Sequence, residues 1–168
     1  VDHREGLYYI RTNREAKNFR LVTAPEGAPG PENWVELLPH RPTVKLEGVL
    51  LFRDHAVFAE REDALIRFRV QNFRTGHTEA ISFEEPVYAA SSGDNPEFDT
   101  ATFRFHYQSM VTPPSVFDWD MRSGRRTLLK QTEVLGGYDP IRYASERIHA
   151  VAGDGARIPI SLVFRKGT

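Results

Sequence analysis

Cysteine is absent from the 168 residues, which excludes disulfide bonds and any thiolate metal site. A chain without disulfides suits a reducing compartment, so a cytoplasmic location is expected. No apolar run approaches the roughly 20 residues that cross a bilayer as a helix, and residues 1–6 are too charged for a signal peptide. Neither sign of charge prevails: 22 Lys and Arg stand against 23 Asp and Glu, so no basic field draws in nucleic acid. Helical patterning is missing too, since stretches such as residues 14–18 and 60–64 are too short to bury an amphipathic face. The histidines His3, His40, His55, His77, His106 and His149 are scattered, with no pair at ligand spacing, and no zinc site is expected.

What is present is apolar β-forming material. The chain is 40% hydrophobic with 11 Phe, 6 Tyr and 2 Trp, enough to build a core. A run of short strands recurs every 44 to 50 residues. Residues 65–71 lead into Phe73-Arg74-Thr75-Gly76-His77, and residues 115–120 lead into Met121-Arg122-Ser123-Gly124-Arg125, with the two glycines 48 residues apart. Glycine supplies the positive φ of a tight reversal, so residues 78–81 and 126–130 read as the returning strands. A fainter earlier copy has strands at 7–11, 19–22 and 34–38. Repeats of this length with four strands each indicate β-propeller blades. The fold class is therefore all-β, a partial propeller of about three four-stranded blades, and the pattern is incomplete at both ends.

Alternation assigns faces. Val49, Leu51, His55, Val57 and Ala59 alternate with Leu50, Phe52, Ala56, Phe58 and Glu60 around an Arg53-Asp54 turn, and both sets are largely apolar, as in a strand buried on both sides. Ile66, Phe68 and Val70 alternate with Arg67, Arg69 and Gln71, which reads as half-exposed. Thr102, Arg104, His106 and Gln108 alternate with Phe103, Phe105, Tyr107 and Ser109 in the same way. The rhythm breaks near Glu133, where Gly136, Gly137 and Pro140 mark an interdomain connection. Two further strands, 146–152 and 156–165, join through Asp154-Gly155. Ile158, Ile160, Leu162 and Phe164 share one face that needs a sheet partner.

Candidate chemistry is sparse. His106, Ser109 and Asp118 have the residue types of a triad, yet no elbow or oxyanion loop accompanies them, and coincidence explains them better. The loop Gly93-Asp94-Asn95-Pro96-Glu97-Phe98-Asp99 has oxygen ligands but lacks EF-hand spacing, and reads as a solvated connection. Arg67, Arg69, Arg74, Arg104, Arg122, Arg125 and Arg126 read as ion-paired blade surface, interspersed as they are with acidic residues. Trp119-Asp120 lacks the Gly-His partner of a WD40 blade, which makes Trp119 a packing residue.

The stretch Phe103-Arg104-Phe105, Tyr107, Ser109, Thr112-Pro113-Pro114-Ser115-Val116-Phe117-Asp118, then Leu128-Leu129-Lys130, Gly136-Gly137-Tyr138-Asp139-Pro140, Tyr143, Ser145-Glu146-Arg147 and Asp154-Gly155-Ala156-Arg157-Ile158-Pro159-Ile160 resembles the end of the propeller and the start of the peptidase domain in the prolyl oligopeptidase family of serine peptidases, in its oligopeptidase B branch. Two departures are His149, where that branch usually has a large aromatic, and Gly153, where it often has a basic residue. The resemblance implies a seven-bladed propeller acting as a size filter over a hydrolase domain whose Ser, Asp and His cut short peptides after Arg or Lys. It divides the chain into blades at 1–135, a linker at 136–145 and the first strands of the peptidase domain at 146–168.

None of the eight serines lies in a Gly-x-Ser-x-Gly elbow, so no catalytic residue is assigned, and the chain alone should be inactive. No cofactor is implied. The expected partners are the peptidase domain and remaining blades of the same protein, with short peptides as substrates; uncapped blades should also self-associate. The alternative is a stand-alone interaction module, which the closing hairpin argues against.

Overall fold

The computed structural model describes residues 1–167. Three antiparallel sheets of four strands follow one another in sequence order, and a two-stranded hairpin closes the chain. The first sheet holds β1 (Asp2–Arg4), β2 (Leu7–Thr12), β3 (Arg20–Pro25) and β4 (Val35–Leu38). The second holds β5 (Val44–Leu51), β6 (His55–Glu62), β7 (Leu65–Asn72) and β8 (Thr78–Ala80). The third holds β9 (Tyr88–Ser92), β10 (Thr102–Ser109), β11 (Ser115–Asp120) and β12 (Arg125–Gln131). Every strand pairs with its sequence neighbour, so each sheet is a meander, the unit from which a propeller is built. Among the described residues the helical content is two short 3₁₀ turns, Pro31–Asn33 and Pro140–Arg142.

The sheets stack face to face through two apolar layers. Tyr9 and Leu21 of the first sheet meet Leu46, Leu51, Ala56 and Phe58 of the second. On the opposite side Phe52, Val57, Phe68, Val70 and Ile81 meet Phe103, Phe105, Tyr107, Trp119 and Met121. Strand β6 thus feeds both layers, Ala56 and Phe58 to one and Val57 to the other, as its two apolar faces require. In the second layer aromatic edges meet faces: the Phe68 and Phe103 rings lie 5.0 Å apart at 71°. Trp119 packs here as a core residue.

Two strands escaped the sequence reading. Strand β1 is only three residues long, and β9 (Tyr-Ala-Ala-Ser-Ser) contains a single strong β-former; both are edge strands fixed by pairing with a longer neighbour. The third strand of the first sheet begins at Arg20 rather than Phe19, because Phe19 sits at φ 65 in a turn whose amide donates to the Ala16 carbonyl at 2.7 Å.

The closing hairpin pairs β13 (Tyr143–Val151) with β14 (Arg157–Arg165). Its first strand starts three residues earlier than the alternation indicated, since Tyr143 pairs with Arg165 across the register. All nine residues of β14 are exposed, on both faces. Register places Ile148 opposite Ile160 and Ala150 opposite Ile158, so the apolar strip runs across both strands. Thr168, the last residue assigned to the final segment, lies outside the described residues.

Candidate functional site

The three residues with triad chemistry are not brought together. Phe103, Phe105, Tyr107 and Ser109 share the core-facing side of β10, whereas Arg104 and His106 point to the other side. The Ser109 hydroxyl is fully engaged: it donates to Glu85 Oε1 at 2.6 Å and accepts the Val111 and Thr112 amides at 2.8 and 2.7 Å. Asp118 accepts both arms of the Arg104 guanidinium, at 2.8 and 3.0 Å. That bidentate pair occupies the carboxylate that would have to orient His106.

Sequence reasoning missed the hydroxyl cluster on Glu85. Tyr107 Oη donates to Oε2 at 2.6 Å and Thr112 Oγ1 to the same oxygen at 2.9 Å, beside the Ser109 bond. Burial, reinforced by the Glu85 carboxylate, pushes the Tyr107 phenol well above its ordinary value and keeps it a donor. In the sequence Glu84 and Glu85 read only as acidic residues interspersed with the arginines of an ion-paired blade surface. The signal available was Tyr107 and Ser109 two apart on one strand face, with no partner yet assigned to their hydroxyls.

The acidic loop after β9 serves to join strands. Asn95 Nδ2 donates to the Gly93 and Arg104 carbonyls at 2.8 and 3.0 Å, and its Oδ1 accepts the Arg104 amide at 2.7 Å, so it substitutes for a missing strand neighbour. The Arg53 amide donates to the Phe98 carbonyl at 2.9 Å, and its guanidinium meets Asp99 at 2.8 Å, tying the second sheet to the third. Among the described residues no group of three or more His, Asp or Glu is arranged to hold a metal.

Most of the basic residues are paired. Arg67 meets Glu62 at 3.1 Å, Arg122 meets Asp54 at 3.8 Å and Arg126 meets Glu84 at 3.7 Å. Arg69 and Arg41 converge on the Oε1 atom of Glu60, which is 5% exposed at the edge of the first apolar layer. The outer face of the third sheet is different in character from the two layers. Arg104, His106 and Gln108 are exposed there, and a cleft of about 510 Å³ is lined by Ser91, His106, Gln108, Val116, Lys130 and Thr132. No helix among the described residues is long and apolar enough to cross a membrane.

Stacked four-stranded meanders with apolar layers between them define a segment of a β-propeller. The N-terminal β-propeller domain of prolyl oligopeptidase matches residues 1–132, and the chain belongs to that family. Dipeptidyl aminopeptidase BI of Pseudoxanthomonas mexicana is 38% identical over 168 residues, covering 99% of this chain and 23% of that protein. Protease 2 of Moraxella lacunata is 29% identical over 99% of the chain and 24% of its own length. Oligopeptidase B from Leishmania major superposes with a TM-score of 0.86 at 30% identity, over 99% of this chain and 24% of that one. The chain thus spans about a quarter of the length of these relatives.

Proposed function

We propose that this chain is the closing, non-catalytic part of the propeller of a serine oligopeptidase, with residues 1–135 as blades, 136–145 as linker and 146–168 opening the peptidase domain. The propeller acts as a size filter, the missing blades and peptidase domain are its partners, and the whole protein works on short peptides in the cytoplasm. The observation that carries the reading is the hairpin β13–β14. Its apolar strip of Ile148, Ile158, Ile160, Leu162 and Phe164 lies exposed directly after the third blade, and it needs a sheet that a bare interaction module has no reason to supply.

Specificity after Arg or Lys follows from the resemblance to oligopeptidase B. The 38% identity to a protein named dipeptidyl aminopeptidase supports a second reading, removal of dipeptides. One experiment separates them. The full-length gene product is assayed on chromogenic peptides ending in Arg or Lys with blocked amino termini, on dipeptide substrates with free amino termini, and on a folded protein. The proposal expects turnover of short peptides, none of the folded protein, and none by the 168-residue chain alone. Hydrolysis by the isolated chain, or a full-length protein without peptidase activity, would overturn it.

A further inference from the structure

The chain leaves the third sheet at Gln131 and reaches the hairpin at Tyr143, and a series of hydrogen bonds fixes its path between them. It starts at Glu85, in the crossover from the second sheet to the third, whose carboxylate accepts from Tyr107, Ser109 and Thr112. A hydroxyl has one proton and two lone pairs, and Ser109 uses all three: its proton goes to Glu85, and its lone pairs accept Val111 N and Thr112 N. With the Ser109 amide donating to the Thr112 carbonyl at 2.9 Å, the turn over Met110 and Val111 is closed. The Val111 carbonyl then accepts the Tyr138 hydroxyl at 2.5 Å.

Tyr138 stands at a mechanical boundary. Gly136 and Gly137, both at φ +87, precede it and resist little. After it the chain stiffens: Asp139 Oδ1 caps the Pro140–Arg142 turn by accepting the Ile141 amide at 3.1 Å, and the Arg142 carbonyl accepts from Lys166 N at 2.8 Å, binding the turn to the base of the hairpin. The Tyr138 ring stacks on Tyr143, the first residue of β13, with centroids 5.5 Å apart at 26°.

We propose that Glu85, acting through Ser109 and the Val111 carbonyl, pins Tyr138 and so sets the pivot about which the hairpin turns against the propeller. Glu85 and Ser109 are positioning residues in this scheme. The consequence for a peptidase rests on the functional reading above, in which the hairpin opens the second domain: the pin ties the start of that domain to the third blade.

Amide hydrogen exchange on the 168-residue chain tests the pin. Tyr138→Phe, Ser109→Ala and Glu85→Gln should each speed exchange across residues 138–143 by about fivefold, the equivalent of one net hydrogen bond of roughly 1 kcal/mol. The Phe103 and Phe105 amides should stay unchanged. Because the bonds act in series, Ser109→Ala combined with Tyr138→Phe should speed the linker no more than either alone. If Tyr138→Phe acts but Ser109→Ala and Glu85→Gln leave the linker unchanged, or if the paired effects add, the proposal is overturned. Should Glu85→Gln also unprotect Phe105, the matter is decided by Tyr138→Phe at its half-buried position and by Thr112→Val, which removes a single donor to Glu85; exchange over residues 138–143 unchanged in both overturns the proposal. Exchange is read without any peptidase assay, so a full-length protein lacking activity would sink the functional reading and leave the pin standing.

Discussion

Asn72 and Asp120, 48 residues apart, hold the same turn in successive sheets. Oδ1 of Asn72 accepts the amides of Arg74 and Thr75 at 3.0 and 3.1 Å, and Oδ1 of Asp120 accepts those of Arg122 and Ser123 at 2.9 and 2.8 Å. Four residues on, Gly76 and Gly124 stand at φ +71 and +68, each donating its amide to the carbonyl of the capping residue at 2.9 Å. The repeat is thus a repeat of hydrogen bonding as well as of spacing.

These turns differ in charge, and that makes a test. The two backbone amides hold the Asp120 carboxyl below its ordinary value. Its contribution is therefore present above the unfolded value near 3.8 and is lost as pH falls through the folded one. Asp120→Asn should be nearly neutral at pH 7, since Asn72 already makes the same bonds, and should remove that acid sensitivity. Asp120→Ala should cost about 1 kcal/mol, as should Gly76→Ala, which strains a left-handed backbone. Urea unfolding of each variant at pH 7 and pH 3.5 provides the comparison.

Phe68 reaches into the layer between the second and third sheets, fully buried, with Phe103 at 5.0 Å and Phe105 at 5.7 Å. Phe68→Ala should cost about 3–5 kcal/mol through lost burial and the cavity left behind. Tyr8→Ala, on a half-buried position of the first sheet, should cost less in the same denaturation series.

His55 is 1% exposed, and burial holds its imidazole below the usual histidine value. Asn72 donates from Nδ2 to its Nε2 across 3.2 Å, the amide orientation being set by the two bonds to Oδ1, so Nδ1 carries the proton. A lowered folded value means the unfolded chain takes up the proton first as pH falls through about 6.5. Stability should be full above that pH and decline below it, and His55→Gln should flatten the decline between pH 7 and 5 in thermal melts.

The exposed strip of Ile158 (50%), Ile160 (38%), Leu162 (36%) and Phe164 (43%) should drive association of the isolated chain. Sedimentation velocity is expected to show concentration-dependent dimers or larger species, and Ile160→Lys should reduce them. A chain that stays monomeric across the range would remove this expectation.

The turns with their glycines, the two-faced apolar pattern of β6 and the clean alternation of β10 were all legible in the residues, because each is a local consequence of φ or of period two. The third copy's exposed side, Arg104 and His106 against Phe103 and Phe105, was legible for the same reason. Strands β1 and β9 were not, since their own residues carry little β preference and a neighbouring strand supplies the bonds. The opposite faces of His106 and Ser109 were legible too, since an odd separation along a strand puts two side chains on opposite sides, whereas the Glu85 partner of Ser109 was not.

By itself the sequence determined the meander repeat, the positions of its reversals and which residues had to be covered. Tertiary structure alone decided what covers them and which polar groups meet: Glu85 gathers hydroxyls from residues 22 to 27 positions away, and Tyr138 finds a carbonyl 27 positions back. Spacing along a chain fixes torsions and faces, whereas a hydrogen bond between distant residues exists only once stacking has brought its donor and acceptor within 3 Å of each other.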